Sequence, residues 1–292
     1  MFAPNPYFCA EPNPNHHRNM QTPGDKNGGF YVDKWFLDAV GDQGEAMIFY
    51  VATLTWHGWT VPYTSWLRYD PKAGLRQKSR FRNIRMPEKS EAGLVWEDPQ
   101  FGIKGCWEAL AQPLQARIFE SDEGYLDWHC HQPASKVRIE SKEGGVWEGR
   151  GYVEQLRMTL PPWQVPMQEL RWGRFGSEAD GVVWIEIREA VKRQWLWLNG
   201  VPVPSGSIED DRIAAPEAGW LLTLDRNTVL ESEKKIFSVV GGLLRYLPGL
   251  NKVMPLSFLM ADNCKWLSKG QLQQAGKAAA AGVAIHERVD FK

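Results

Sequence analysis

Hydrophobic residues in this chain fall into short stretches separated by glycine, proline and charged residues. Residues 30–40 and 45–56 are rich in aromatic and β-branched side chains, and residues 41–44 between them have the composition of a turn. Short segments of the same kind continue to residue 141, and few stretches show helical periodicity. The pattern predicts an antiparallel β-meander that closes into a barrel or a sandwich, because closure removes exposed strand edges.

The first predicted hairpin has a second copy about half a chain length further on. Trp35 is followed nine residues later by Gly44 and an apolar run, and Trp172 is followed nine residues later by Gly181 and another apolar run. The offset of 137 residues indicates duplication of one β unit. At 292 residues the chain exceeds the usual size of a single core, so we expect two similar β domains, with one large β domain as the alternative.

Three segments depart from the meander. Residues 1–27 are rich in proline, asparagine and histidine without an apolar period, which predicts an irregular N-terminal arm. Residues 231–247 and 270–281 are predicted to form short helices, the second because of its run of alanines. Residues 282–291 are predicted to form the last strand.

Charge and hydropathy narrow the class of protein. Lysine plus arginine number 34 and aspartate plus glutamate 35, a formal net charge of -1, which argues against binding to nucleic acid or to anionic lipid. The N-terminus lacks the basic and apolar regions of a secretory signal. The longest apolar stretch, residues 237–250, is broken by Arg245 and Pro248, so we expect no transmembrane segment.

The four cysteines bear on the compartment. They are widely spaced and form no CxxC pair, so we interpret them as reduced thiols of a cytoplasmic protein, with neither a structural disulfide nor a zinc site expected. They are Cys9, Cys106, Cys130 and Cys264.

Signatures of cofactor-dependent enzymes are absent from the sequence. It has no glycine-rich phosphate loop, serine nucleophile elbow, CxxC redox motif or HExxH zinc motif. His129 and His131 share a face of one predicted strand and could form half of a metal site, but the sequence identifies no further ligands. We therefore expect no cofactor and no metal, and favour a ligand pocket into which His129 or His131 points.

Four stretches, taken in order and spacing, resemble a known family. Together they are similar to the carotenoid 1,2-hydratases, also called hydroxyneurosporene synthases, and to the related AttH-like proteins. The resemblance covers nearly the whole chain from Gly28 onward. The stretches are residues 28–39 (GGFYVDKWFLDA), 149–154 (GRGYVE), 170–175 (LRWGRF) and 285–287 (IHE).

The resemblance implies an all-β chain of two tandem lipocalin-like antiparallel β-barrels with a few short helices, over residues 28–162 and 163–292. It also implies cofactor-free chemistry on a hydrophobic, polyene-like substrate. The family's His-x-Trp pair falls here on Gln155 and Arg157, and its Tyr-x-Asp pair on Trp184-x-Glu186. The histidine is missing, whereas a carboxyl group remains.

Two glutamates are the candidate catalytic residues. Protonating an alkene needs a carboxylic acid that stays neutral, and burial beside aromatic rings raises a carboxyl pKa in that direction. On an alternating strand Glu186 and Trp184 share a face, so they would meet in a barrel interior. The alternative is that Glu186 faces solvent or pairs with Arg174 or Arg188. Glu154 could orient a substrate hydroxyl or carbonyl, or pair with an arginine.

Arg174 also has two interpretations. Its guanidinium could make forked hydrogen bonds to an anionic or carbonyl group of the substrate. Alternatively, the resemblance to lipocalin-type barrels implies that it stacks over Trp172 and closes one barrel end. The predicted substrate-binding residues are Trp184, Trp172, Gln155, His129, Arg174 and Tyr152.

These observations lead to one main hypothesis and two alternatives. The main hypothesis is a cofactor-independent cyclase, isomerase or hydratase that binds an isoprenoid or polyene-like small molecule in a cavity within or between the barrels. Glu186 is the predicted acid in this hypothesis. The first alternative is a lipocalin-like carrier of a hydrophobic metabolite, which needs no catalytic residue. The second is a purely structural protein without an enclosed cavity.

Overall fold

The chain folds into two ten-stranded antiparallel sheets, one in each half, in a computed structural model. This confirms the all-β fold of two tandem barrel-like units. The structure describes residues 29–90, 93–142, 145–232 and 260–291, together with positions 249, 252, 254, 255 and 258. The predicted N-terminal arm lies outside these residues.

The first sheet spans residues 31–158 in the order β4-β3-β2-β1-β10-β9-β7-β6-β5, with β8 paired to β9. Each neighbouring pair is antiparallel, as expected of a meander. The strands are β1 (Tyr31–Val40), β2 (Ala46–Trp56), β3 (Trp59–Asp70), β4 (Gly74–Arg80), β5 (Glu88–Ser90), β6 (Gly93–Asp98), β7 (Ile103–Ala109), β8 (Leu114–Ser121), β9 (Gly124–Ser141) and β10 (Gly145–Met158).

The second sheet spans residues 169–290 and repeats this order as β14-β13-β12-β11-β20-β19-β17-β16-β15, with β18 paired to β19. The strands are β11 (Glu169–Ser177), β12 (Gly181–Arg188), β13 (Arg193–Leu198), β14 (Val201–Pro202), β15 (Ser207–Ile208), β16 (Arg212–Ala215), β17 (Trp220–Leu224), β18 (Thr228–Ser232), β19 (Asp262–Gln274) and β20 (Ala280–Asp290). Short 3₁₀ turns lie at Pro162–Gln164 and Pro216–Ala218, and the described positions Lys252 and Phe258 are also helical.

The identical strand order shows that the two halves are copies of one unit, and strand register identifies equivalent residues. In the β1–β2 hairpin the pair nearest the turn is Val40 with Ala46, and Phe36 lies four residues before Val40. In the β11–β12 hairpin the pair nearest the turn is Gly176 with Gly181, and Trp172 lies four residues before Gly176. Phe36 and Trp172 also belong to the same apolar cluster between the halves. We therefore treat them as equivalent positions.

The sequence match of Trp35 with Trp172 identified the right strands but the wrong face. Trp35 packs inside the first barrel, whereas Trp172 packs between the barrels. The turn of the first hairpin is one residue longer, so equal spacing from the turn places the two tryptophans on opposite faces.

Three apolar clusters hold the fold together. Alternate residues of each strand fill the interior of their own barrel, around Trp96 and Trp107 in the first half and Trp184 in the second. The other faces of β1, β2, β9, β10, β11 and β12 pack between the halves. Trp128 stacks on Trp197 across this interface, with ring centroids 5.2 Å apart.

The predicted helix over residues 270–281 is wrong. Strand β19 continues to Gln274 and pairs with β20, so that Gly270 lies opposite Gly282. Phe175 occupies the space that a Cβ atom would need at both glycines. The alanine run has high helix propensity, but sheet pairing overrides it.

Other expectations have mixed outcomes. The predicted last strand is confirmed as β20. The predicted helix over residues 231–247 is wrong at its first two residues, which end β18, and the rest lies outside the described residues.

Cys106 is disulfide-bonded, which corrects the expectation of four reduced thiols, while Cys130 and Cys264 are free. Among the described residues, no helix is long and apolar enough to cross a membrane.

Candidate functional site

A cavity of about 680 Å³ lies between the two barrels and is lined by residues of both. Its walls include residues of β1, β2, β3, β9 and β10 in the first half and of β11, β12 and β20 in the second. The polar residues among the apolar lining include Lys34, Tyr50, Glu154, Glu231 and Glu287. A mostly apolar cavity with a few convergent polar groups is typical of a small-molecule site.

Glu154 accepts three hydrogen bonds on a single carboxylate oxygen. Its Oε2 atom accepts from Nε1 of Trp128 at 2.5 Å, from the hydroxyl of Tyr152 at 2.7 Å and from Nε1 of Trp172 at 2.9 Å. Within the part of the chain that the structure describes, Oε1 accepts no hydrogen bond. One oxygen of the carboxyl group is thus held by donors from both halves, and the other is available to a ligand.

Strand geometry explains how these donors converge. Tyr152 and Glu154 are two residues apart on β10, so their side chains share a face. Trp128 comes from the adjacent strand β9, and its ring is fixed by stacking on Trp197 of the second half. Trp172 comes from β11 and packs edge-on against Phe36, with centroids 4.9 Å apart. The site is complete only where both barrels meet.

Burial dominates the electrostatics of Glu154. Desolvation raises the pKa of its carboxyl above the usual range, and hydrogen bonds from Tyr152 and Trp128, together with the charge of Lys34, offset part of this increase. Because the donors share Oε2, Oε1 can carry a proton without disturbing them. The carboxyl therefore has the arrangement of a neutral acid that faces an apolar cavity.

A buried ion pair joins Lys265 to Glu287, a glutamate that lines the cavity from the second half. Lys265 is only 2% exposed, and its Nζ lies 2.7 Å from Oε2 of Glu287 and 3.8 Å from Oε2 of Glu231. The same Nζ donates to the hydroxyl of Tyr50 and lies 5.1 Å from the centroids of the Phe36 and Tyr50 rings.

The charges in this group reinforce one another. Burial alone would lower the pKa of Lys265, but Glu287, Tyr50 and Glu231 outweigh it and raise that pKa well above the usual range. Burial alone would raise the pKa of Glu287, but Lys265 and then Lys34 hold it below the usual range. Glu287 is therefore a carboxylate and Lys265 an ammonium.

The structure brings together three of the residues predicted from sequence, namely Glu154, Tyr152 and Trp172. Glu186 and Trp184 share a face as expected, but that face points into the second barrel, away from the cavity. Arg188 Nε donates to Oε1 of Glu186 at 2.5 Å, and Lys192 Nζ lies 2.7 Å from Oε2. Pairing with Arg188, the alternative weighed from sequence, is what the structure contains.

Gln155 and His129 belong to the first barrel and do not line the cavity. Gln155 donates to Oδ1 of Asp33 at 2.7 Å and lies 3.1 Å from Nε2 of His131, whose ring stacks on Trp35. His129 lies beside His131, with ring centroids 6.4 Å apart. Burial lowers the pKa of His131, and the described residues contain no cluster of three or more potential metal ligands.

Arg174 does not line this cavity, and it binds Asp38 rather than stacking over Trp172, so the stacking interpretation is wrong. Its role in substrate binding stays a prediction. Its guanidinium binds Asp38 of the first half with both Nε and Nη2. A cation does lie over the Trp172 ring, but it is Lys265, 5.8 Å from the ring centroid. A sequence pattern cannot distinguish an arginine that stacks locally from one that reaches the other domain.

Several site residues were missed from sequence. Glu287 lies in the IHE stretch that carries the family resemblance, so a signal for it was present. Trp128 directly precedes His129 in the sequence, but only the histidine was predicted to bind the substrate. Lys265 and Tyr50 carry no local signal, because they meet only when β2 and β19 are brought together by packing of the two halves.

Comparisons with known proteins agree on the fold. No protein-family model matches the chain, and no curated protein matches it in sequence. The crystal structure of CghA superposes with a TM-score of 0.54 at 11% identity, covering 90% of this chain and 89% of that one. CghA with Sch210972 gives 0.51 at 10% identity, with 90% and 89% covered.

A putative AttH protein from Nitrosomonas europaea, NE1406, gives a TM-score of 0.50 at 9% identity and covers 88% of this chain and 91% of that one. The chain thus has the two-barrel fold of CghA and of this AttH-like protein. The fold implied by the sequence motifs is confirmed, and at these identities the likeness extends to the fold alone.

Proposed function

We propose that this protein is a cofactor-independent enzyme that protonates an isoprenoid or polyene-like small molecule in the cavity between the barrels, and so hydrates, isomerises or cyclises it. The observation that carries the proposal is Glu154. Its carboxyl is shifted towards the neutral form, faces an apolar cavity of about 680 Å³ and is held by three donors on one oxygen.

The three donors suit the chemistry of proton transfer. When Oε1 gives its proton to a substrate double bond, negative charge develops on the carboxylate, and the hydrogen bonds to Oε2 strengthen. These groups are already in place, so they require no reorganisation during the reaction. The tryptophan and tyrosine rings of the lining can stabilise the cation that forms on the substrate.

We place the acid on Glu154 rather than on Glu186. Both oxygens of Glu186 are engaged by cations, and its side chain belongs to the interior of the second barrel. Glu154 is engaged by neutral donors and lines the cavity. The crystallisation of CghA with Sch210972 adds support, because a protein of the same fold holds a small molecule.

The test compares wild-type protein with Glu154→Gln. Each is incubated with geranylgeraniol, retinol or lycopene in deuterated water, and mass spectrometry measures added water, isomers and deuterium incorporation. We expect the variant to bind the probes as wild type does and to lose about 10²–10⁴-fold in turnover, the usual contribution of a general acid. Glu148→Gln, an exposed glutamate on the same strand, is the matched control.

The carrier hypothesis gives a different result. A carrier would quench its tryptophan fluorescence on binding a probe, and neither protein would form a product or incorporate deuterium. Binding without conversion by the wild type would therefore overturn the enzymatic proposal.

A further inference from the structure

Glu154 and Glu287 occupy the same position in the two copies of the repeat. Glu154 on β10 lies opposite Phe36 of β1, and Glu287 on β20 lies opposite Trp172 of β11. Phe36 and Trp172 are equivalent, so the two glutamates are equivalent as well. Both line the cavity between the barrels.

The two copies differ in the residue that lies opposite the glutamate on the neighbouring strand, β9 or β19. Glu154 lies opposite Cys130 on β9, whereas Glu287 lies opposite Lys265 on β19. Cys130 is a fully buried free thiol, and Lys265 is a buried cation 2.7 Å from its glutamate. Glu154 therefore has a neutral thiol opposite it on the neighbouring strand, whereas Glu287 has a cation at the equivalent position.

We propose that Glu287 is the proton acceptor of the reaction and that Lys265 is the positioning residue that keeps it ionised. This inference rests on the proposed function, since it assumes that Glu154 is the acid. It assigns opposite roles to two equivalent carboxyl groups that face one cavity.

The geometry supports a direct role for Glu287. Lys265 engages Oε2 of Glu287, and within the described part of the chain Oε1 accepts no hydrogen bond, as in Glu154. Trp172 connects the two carboxyls, because its indole donates to Glu154 while its strand partner is Glu287. The pKa shifts agree, upward for Glu154 and downward for Glu287.

The proton balance closes without a cofactor. Glu154 gives a proton from Oε1 to one alkene carbon, whose π electrons form the new C–H bond and leave a cation on the neighbouring carbon. In hydration, a water oxygen bonds to that carbon and one water proton passes to Glu287. In isomerisation or cyclisation, Glu287 takes a proton from a carbon beside the cation, and the C–H electrons form a new double bond.

Each cycle leaves Glu287 protonated and Glu154 ionised. A proton then moves from Glu287 to Glu154 through solvent, and both groups regain their starting states. A base of low pKa is sufficient, because water bound to a carbocation and hydrogens beside one are strongly acidic. The titratable and charged groups around Glu287 are Lys265, His286, Lys34, Tyr50, Glu154 and Glu231.

The experiment is steady-state kinetics of Glu287→Gln with the probe, among geranylgeraniol, retinol and lycopene, that wild type converts. We expect kcat to fall about 10²–10⁴-fold while KM changes less than threefold, and the loss of rate at low pH to disappear. The exposed Glu148→Gln is again the control. A kcat within threefold of wild type, alongside an inactive Glu154→Gln, would show that Glu287 is not the base while the proposed function stands.

Lys265 has a separate test. Replacing it with methionine removes the cation that holds the pKa of Glu287 down, so the acidic limb of the pH–rate profile should move to higher pH. If that variant fails to fold, Lys265→Met with Glu287→Gln removes both charges and should match Glu287→Gln in kcat. An acidic limb that stays in place in Lys265→Met, or a double variant with wild-type kcat, contradicts the assignment. If wild type converts none of the probes, the proposed function and this inference fail together.

Discussion

Asp38 of the first barrel and Arg174 of the second bind each other at equivalent positions of the repeat. Each lies two residues beyond the equivalent pair Phe36 and Trp172. Arg174 donates from Nε to Oδ2 at 3.0 Å and from Nη2 to Oδ1 at 2.5 Å, and the side chains are 5% and 0% exposed. This two-point contact fixes β11 relative to β1, and both strands contribute residues to the cavity wall.

Replacing Arg174 with methionine should destabilise the protein strongly. The change removes the cation that pairs with the buried Asp38 carboxylate, and breaking such a buried pair typically costs about 3–5 kcal/mol. Urea denaturation followed by tryptophan fluorescence measures the free energy of unfolding. The double variant Asp38→Leu with Arg174→Met should be less destabilised than Arg174→Met alone, and a larger, additive loss would show that the two residues are not coupled.

Replacing Tyr152 with phenylalanine should move the alkaline limb of the pH–rate profile. The tyrosine hydroxyl lowers the pKa of Glu154, so its loss raises that pKa further and the acid stays protonated to higher pH. The rate at neutral pH should fall about tenfold, because one donor to the developing carboxylate is lost. An alkaline limb that moves to lower pH, or does not move, would contradict this assignment.

Glu154 should also affect stability in a pH-dependent way. Its folded-state pKa is raised, so its contribution to stability is fully present below the unfolded-state pKa and is lost as pH rises through the folded-state value. Glu154→Gln, which cannot ionise, should therefore gain stability over wild type as pH rises from the unfolded-state pKa of about 4.3 through the folded-state value. Urea midpoints across that range measure the gain. Equal midpoint differences at both ends would mean that the pKa is not raised.

Glu186→Gln should affect folding more than turnover. Its carboxylate is fully buried but its partners, Arg188 and Lys192, are 30% and 43% exposed, so part of the lost ion pairing is replaced by water. We expect a loss of about 1–3 kcal/mol in the free energy of unfolding and a kcat within about threefold of wild type. A stable Glu186→Gln variant without activity would show that Glu186, inside the second barrel, is the acid.

Much of the fold can be predicted from sequence because strand periodicity, turn chemistry and the repeated hairpin are local signals. The failures have physical causes. Residues 270–281, despite their alanine run, form the end of β19, a turn and the start of β20, and glycines at 270 and 282 leave room for Phe175. The sequence match pairs Trp172 with Trp35 instead of its structural equivalent Phe36, because the turn of the first hairpin is one residue longer.

The site was harder to predict for a different reason. Strand alternation correctly places Glu186 with Trp184 and Glu154 with Tyr152, but it cannot say which face looks into a filled barrel and which looks into the cavity. That distinction depends on how two barrels pack. Lys265, which sets the charge of Glu287, lies far along the chain from Tyr50 and Trp172, the residues it contacts in the first and second halves.

The shared wall of the cavity has a consequence for how such a chain could have arisen. A single ancestral barrel would carry one glutamate, and it could build this cavity only by pairing with an identical copy. In that dimer both glutamates would have the same surroundings, so neither could specialise. Two copies in one chain can differ in sequence, and here the residue opposite one glutamate is Lys265 while the residue opposite the other is Cys130. The proposed division of labour between acid and base therefore needs two copies that differ in sequence, which a pair of identical barrels does not provide.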